Sequence, residues 1–310
     1  GKPIRFLERL FFNAQTEKPL SIENVNATFS AETGLPLNLL EDSIPLDLER
    51  ARLWFQDRLM GQDRAVDFVV DTIAMIKARL ARPGKPLGSF LFVGPTGVGK
   101  TELAKCLAQY FYGSQERMIR LDMSEFNSPG SATRLVSSNS GDLEGLLTAQ
   151  MRDQPFSVVL LDEFEKAAPQ VFDLFLQVLG EARLTDAAGR VADFSNAIVI
   201  MTSNLGAQNF RAGANLGFGG ADAADLGAEE HFTSEAKKRF RPEFFNRIDR
   251  IVPFLPLTRQ VLERIVAKEL DAIQRRDGLR ERQLDLQLNS TVLDEILKHG
   301  HDPRYGARPL

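Results

Sequence analysis

Five short apolar runs punctuate this sequence, at residues 89–93, 118–121, 157–161, 197–202 and 250–254, with helically spaced stretches between them. Strands that alternate with helices join in parallel, because each return across a sheet needs a crossover of about a dozen residues or more. The crossover helices cover both faces, so the strands read as unbroken Val, Ile, Leu and Phe. The pattern predicts an α/β fold, an αβα layering around a five-stranded parallel sheet. Ligands of such sheets sit beyond the carboxyl ends of the strands. The residues that end each run are therefore the candidates for chemistry.

The first run, "SFLFV", passes straight into "GPTGVGKTEL". Gly94, Gly99, Lys100 and Thr101 satisfy G-x-x-x-x-G-K-[ST]. Leu103, Leu107 and Phe111 then recur every four residues, as on one helix face. A strand that feeds a helix through glycines exposes backbone N–H groups at a helix N-terminus, where they meet phosphate. Gly94, Pro95, Thr96, Gly97, Val98 and Gly99 would wrap the phosphates of a nucleotide. Lys100 would offset the β and γ charge, and Thr101 would hold Mg²⁺ through its hydroxyl. A plain glycine turn with a capping threonine leaves the lysine unexplained.

Other runs end in matching groups. "SVVLLDEFEKA" ends in Asp162 and Glu163. Neighbouring residues of a strand face opposite ways, so two adjacent carboxylates serve two places: Asp162 the Mg²⁺ shell, Glu163 the attacking water. "AIVIMTSN" ends at Asn204, a neutral amide suited to water or a γ-phosphate and equally to a turn. "RFRPEFFNRIDRIV" sets Arg247 just before the fifth run. An arginine aimed at the transferring phosphate is worth about 10³–10⁵ in rate and can come from a neighbouring subunit. The competing assignment is an ion pair with Asp249 or Glu243. In "YGARPL", Pro309 suits the first position of a helix, so Arg308 would oppose the helix dipole unless an anion such as a nucleotide phosphate faces it.

The 310 residues suffice for two domains, with 43% hydrophobic and 26% charged residues typical of a soluble globular chain. A net charge of -4 with dispersed Lys and Arg argues against a nucleic-acid-binding face. One cysteine, Cys106, expected in the core, and three dispersed histidines build neither a disulfide nor a structural zinc site. Without a signal peptide or membrane-length apolar run, the expected setting is a reducing, aqueous one, the cytoplasm.

Residues 1–58 read as a helical leader, 59–254 as the large nucleotide-binding domain and 255–310 as a small helical domain. In the leader, Ile4, Leu7 and Phe11 fall on one helix face. Ser21 is expected to cap a second helix with Ile22, Val25 and Phe29 inward, stopped by Gly34 and Pro36. A third helix carries Leu48, Trp54 and Phe55 and breaks at Gly61; a fourth runs to about Leu80, before the linker "ARPGKPLG". Residues 206–231, rich in Gly, Ala and Asn, read as a flexible loop. Within it Leu216, Gly217 and Phe218 either anchor the loop on the body or dock a partner.

"GPTGVGKTELAK", "RLDMSEF", "SVVLLDEFEKA", "GEARLTDAAGRVADFSNAIVIMTSNLGA", "FRPEFFNRID" and "YGARPL" together resemble the second ATPase module of class 1 Clp chaperones, AAA+ protein unfoldases and disaggregases. The resemblance spans roughly residues 27–310 and implies roles position by position. Lys100 and Thr101 resemble the family's phosphate-loop pair, Asp162 its Mg²⁺ acid and Glu163 its catalytic base. Asn204 matches the first sensor, Arg247 the trans-acting arginine finger and Arg308 the second sensor. Leu59, Met60, Gly61 and Gln62 match the turn that lines the adenine. The resemblance further implies a hexameric ring threading protein substrates, and it likens Leu216, Gly217 and Phe218 to the loop that docks a peptidase ring. Two departures stand out. The interval "RLVSSNSGDLEGLLT" lacks the aromatic of the family's substrate-gripping loop, and the small domain, ending at Leu310, is shorter than the resemblance implies. The polar interval favours an alternative, an ATP-dependent assembly switch or scaffold that threads nothing; "RLTDAAGR", resembling the second pore loop, opposes it.

Overall fold

The computed structural model describes residues 2–14, 20–41, 43–78, 80, 82–137, 144–207, 210, 221–281, 289–300 and 307. Helices α1 (Lys2–Ala14), α2 (Ile22–Thr33), α3 (Leu48–Arg58) and α4 (Asp63–Lys77), with a single helical turn at Leu37–Leu40, precede the sheet. Then come β1 (Gly88–Val93), α5 (Lys100–Tyr112), β2 (Met118–Asp122), α6 (Leu146–Asp153), β3 (Val158–Asp162) and α7 (Pro169–Glu181). A hairpin of β4 (Arg183–Thr185) and β5 (Val191–Asp193) leads to β6 (Ile198–Ser203), α8 (Ala221–Arg239) and β7 (Arg250–Pro253). Helices α9 (Arg259–Gln274) and α10 (Ser290–Gly300) follow. Among the described residues no helix is long and apolar enough to cross a membrane.

The five long-range strands form one parallel sheet in the order β2-β3-β6-β1-β7, as the alternating pattern predicts. Every residue of β1 and β6 is buried, which explains their largely apolar composition; the buried exceptions are Ser89, Thr202 and Ser203. The pleat splits each strand between two cores. Phe90, Phe92, Leu160 and Ile200 join Phe55, Ile73, Leu107 and Phe111 on one face. Leu91, Val93, Leu161 and Met201 join Phe164, Phe175 and Phe232 on the other. Fully burying each such side chain contributes roughly 1.5–3 kcal/mol. A separate small cluster, Leu262, Val266 and Leu297, holds α9 to α10.

Ser21 caps α2 as its sequence foretells, accepting the Asn24 N–H, and Gly34 ends the helix in the left-handed conformation. The face shared by Ile4, Leu7 and Phe11 is the solvent side of α1, and the inward placement of Ile22 fails. Ile4, Leu7 and Phe11 are 60%, 50% and 65% exposed, whereas Leu10 is buried. Helix α1 docks through Phe6, whose ring meets Phe29 at 6.2 Å, and through the Arg9–Glu32 ion pair. What α2 offers, not the richest apolar stripe of α1, sets the rotation. Ile22, at the first position of α2, is also exposed. Helix α4 ends at Lys77, short of Leu80, which is exposed.

The loop expected over 206–231 is corrected as well, because α8 begins at Ala221. Alanine is the strongest helix former, so its Ala- and Glu-rich half follows α8 rather than the glycines before it. Leu216, Gly217 and Phe218 lie outside the described residues, as do residues 138–143 of the polar interval and Arg308.

The β4–β5 hairpin is knit to both ends of that polar interval. The Ala187 N–H donates to the Val136 carbonyl at 3.0 Å. Asp186, its side chain 0% exposed, pairs with Arg152 and Arg190, each at 2.9 Å. Both arginines also pair with Glu144. Burial alone would raise the Asp186 carboxyl; hydrogen bonds from the Arg190 and Ala188 N–H groups and from both guanidinium groups outweigh it and hold the pKa down at about 2. A depressed carboxylate adds stability that is full above its unfolded value, about 3.9, and is lost as pH falls through about 2. Asp186→Asn is therefore expected to melt several degrees below the parent protein at neutral pH, with the gap closing toward pH 2. Thermal melts across that range check this, and a gap independent of pH would remove the carboxylate from the account.

Candidate nucleotide site

The sheet order brings β1 between β6 and β7, with β3 on the far side of β6. The carboxyl ends of β1, β6 and β3 therefore meet where a ligand site is expected. Two glycines make the loop after β1 possible. Gly94 has φ 152°, and a Cβ there would lie 2.3 Å from the Phe254 carbonyl oxygen. Gly99 has φ 109°, and a Cβ there would lie 2.7 Å from Leu59 Cδ1. The loop thus needs glycine both to pass β7 and to admit Leu59.

A cleft of about 430 Å³ opens at this edge. The loop residues Thr96, Gly97, Val98, Gly99, Lys100 and Thr101 line it, together with Asp162, Glu163 and Asn204. Leu59 and Met60 line it as well. Gly94 and Pro95 lie beneath, where their carbonyls accept the Lys100 ammonium at 2.5 and 2.7 Å. The Asn204 side-chain oxygen accepts the same ammonium at 2.8 Å, and its N–H donates to Glu165 at 3.0 Å. The amide thus touches the Lys100 ammonium, and Asn204 also opens a turn that the Ala207 N–H closes onto its carbonyl at 3.2 Å, so both placements hold at once. Asp162 accepts the Thr202 hydroxyl at 2.5 Å and the Arg120 guanidinium at 2.7 Å. Glu163 pairs with Lys166, and that contact raises the lysine pKa.

Gln62 is buried behind the cleft. Its amide donates to the carbonyls of Val98 at 3.2 Å and Leu255 at 2.9 Å, and accepts the Leu255 N–H at 3.1 Å. One side chain thus fastens the phosphate loop to the segment that leaves β7. Gly61, with φ 72°, turns the chain against Val261.

Arg247 is not among the residues that line the cleft. Its guanidinium donates to the Leu176 carbonyl in α7 and lies against Gly180, where a Cβ would come within 2.1 Å of it. Asp249 instead accepts the Ser89 N–H at 2.9 Å and the Ser89 hydroxyl at 2.7 Å. Neither Asp249 nor Glu243 is placed against Arg247 by these contacts. Cys106 is buried, as expected, and burial pushes its thiol up to about 11.

Sequence reasoning missed Ile265, Lys268 and Glu269 of α9, which line the cleft, as do Arg58, Leu257 and Ala307. The α9 residues stand at helical spacing, but nothing in an amphipathic helix marks which half-exposed side chains will face a ligand. The Ala307 N–H donates to the Gly97 carbonyl at 3.2 Å, so the residue before Arg308 touches the phosphate loop.

A parallel sheet with a glycine loop after β1 and paired carboxylates after β3 defines a nucleotide-binding module of the AAA class. The sequence matches the family described as "AAA domain (Cdc48 subfamily)" over residues 85–251 and the "C-terminal, D2-small domain, of ClpB protein" over residues 257–310. The chain belongs to the class 1 Clp chaperones of the AAA+ ATPases. It is 42% identical over 307 residues to the chaperone protein ClpB of Oceanobacillus iheyensis, covering 96% of this chain and 37% of that one. It is 41% identical to the "Negative regulator of genetic competence ClpC/MecB" of Bacillus subtilis, again across 96% of this chain and 37% of that one. Among solved structures it resembles the Hsp104–ADP complex of S. cerevisiae at a TM-score of 0.74 and 34% identity, covering 92% of this chain and 49% of that one. The chain thus spans little more than a third of the curated relatives it matches and about half of Hsp104.

Proposed function

We propose that this chain is an ATP-hydrolysing module that works in a ring of six copies to remodel, unfold or disaggregate proteins. The observation that carries the proposal is one cleft gathering Lys100, Thr101, Asp162, Glu163 and Asn204, while Arg247 is seated away from it on α7. Lys100 neutralises β- and γ-phosphate charge. Glu163 orients the attacking water and takes its proton, and Asn204 holds the γ-phosphate end of the site through its amide. Leu59 and Met60 give the adenine an apolar seat beside Gly61 and Gln62. Arg247 acts on the cleft of an adjacent copy. Arg308, one residue beyond the cleft-lining Ala307, acts as the second phosphate sensor.

Magnesium beside phosphates takes one or two protein ligands and keeps several waters. The Thr101 hydroxyl and Asp162 carboxylate, both lining the cleft, fit that donor set. When bound, the ion would supply positive charge that offsets the charge of the nucleotide phosphates. Residues 59–254 form the nucleotide-binding body and 255–310 the smaller helical domain, with 1–58 as a leader. A cytoplasmic setting follows from the same family reading.

One relative of this chain is described as "ATP-dependent Clp protease ATP-binding subunit ClpC". That description supports Leu216, Gly217 and Phe218 as a docking triplet for a peptidase ring. A relative of known structure was solved as "Hsp104:ATPyS and FITC casein", which supports a protein substrate over an assembly switch. The test is steady-state ATP hydrolysis with added casein, then with single-stranded DNA. Casein is expected to raise the rate severalfold and DNA to leave it unchanged. A rate indifferent to casein would favour the switch.

A further inference from the structure

We propose that Thr202 is a positioning residue for the carboxylate pair, acting on hydrolysis through Asp162 and Glu163 without touching nucleotide; the proposal rests on the roles given to those two acids above. Thr202 lies near the end of β6, beside β3, where Leu161 is in register with Met201. It is 1% exposed. Its hydroxyl has two partners, and they are adjacent in sequence. It donates to Asp162 Oδ1 at 2.5 Å and accepts the Glu163 N–H at 3.1 Å.

Two neighbouring strand residues point to opposite faces. Asp162 and Glu163 serve one cleft only because the backbone leaves the strand between them. Glu163 makes that turn at φ 54° and ψ 46°, the left-handed region. Few non-glycine residues occupy it, and they persist there only when the surroundings over-determine them. Two such constraints are present. The Phe164 ring is packed by Phe172, Phe175, Phe240 and Phe244 at centroid distances of 4.8–6.0 Å. The Thr202 hydroxyl receives the Glu163 N–H that the turn directs toward β6. The same hydroxyl fixes one oxygen of Asp162, while Arg120 holds the other at 2.7 Å. One buried oxygen atom thereby sets the orientation of the metal acid and the backbone of the base.

Thr202→Val keeps the shape and β-branching and removes the hydroxyl. Thr202→Ser keeps the hydroxyl. Loss of a group that orients a ligand costs about 10–100-fold in metal affinity or activity. Thr202→Val is therefore expected to lower kcat by about 10–100-fold while KM for ATP stays within about twofold. Mn²⁺ affinity, measured by electron paramagnetic resonance on protein loaded with a non-hydrolysable ATP analogue, is expected to fall with kcat. Thr202→Ser is expected to restore both. Thr202→Ala gives the same comparison should the valine variant not fold. Wild-type kcat and Mn²⁺ affinity in the hydroxyl-free protein would overturn the proposal, as would a serine variant as impaired as the valine one. Glu163→Gln runs beside them as the control. If it turns over at the wild-type rate, the reading of the acid pair fails. If it is inactive while Thr202→Val is normal, only the role of Thr202 fails.

Discussion

Glu163→Gln is expected to bind ATP and keep it. The amide fills the same space after the left-handed turn, but it takes no proton from water, and general-base catalysis is worth about 10²–10⁴ in rate. Asp162 and its bonds to Thr202 and Arg120 are untouched, so the metal side of the cleft remains. Turnover should fall by that factor with nucleotide affinity unchanged. Lys100→Ala should do the opposite. Its ammonium is gathered by the Gly94 and Pro95 carbonyls and Asn204 at 2.5–2.8 Å, at the mouth of the phosphate loop. Removing a charge-assisted partner of phosphate should weaken ATP binding by about 10–100-fold. Binding of a fluorescent nucleotide together with single-turnover hydrolysis separates the two lesions. Equal loss of binding in both variants would contradict the division of labour.

Arg247→Ala is expected to retain nucleotide affinity and lose about 10³–10⁵ in turnover, because in the role proposed for it the arginine meets charge that develops in the transition state. The geometry makes a sharper statement. Within one copy, α7 holds this guanidinium by the Leu176 carbonyl and against Gly180, away from the cleft. Mixing Arg247→Ala with Glu163→Gln protein should therefore recover activity, since an interface can combine an intact Arg247 from one copy with an intact Glu163 from the next. Coupled-enzyme assays on mixtures of confirmed composition read this out. No recovery at any ratio would place Arg247 in a cis or purely structural role.

How much of this was legible in the sequence follows from how local each determinant is. Lys100 and Thr101 were readable because the loop, the strand before it and the helix after it are contiguous. Asp162 and Glu163 were readable because they end an unbroken apolar run. Thr202 was not, because inside "AIVIMTSN" a β-branched hydroxyl reads as strand filler, and its two partners come from another strand. The β4–β5 hairpin escaped as a pair of strands because each member has three residues, with one buried between two exposed. That is too short for a period to emerge. The outward stripe of α1 shows what periodicity leaves open. Periodicity identified a face correctly, but the side that packs was decided by Phe29 and Glu32 of α2. The contribution of α9 to the cleft depends on how the segment after β7 folds back, and Gln62 fastens that segment through Leu255, 193 residues away in sequence.

The knot around Asp186 has a mechanical meaning. Val136 and Glu144 are both tied to the same hairpin, Val136 by a backbone bond from Ala187 and Glu144 by Arg190 directly and by Arg152 through Asp186. A pull on Val136 and Glu144 together would load these ties in parallel instead of peeling them one at a time. The load then runs from β4 into α7, which ends at Glu181, two residues before β4 begins. The far end of α7 starts at Pro169, six residues after Glu163, and its body carries the seat of Arg247. One helix thus lies between the hairpin and Glu163 along the chain and also seats the Arg247 guanidinium, so a displacement of the hairpin would reach the surroundings of both residues through α7.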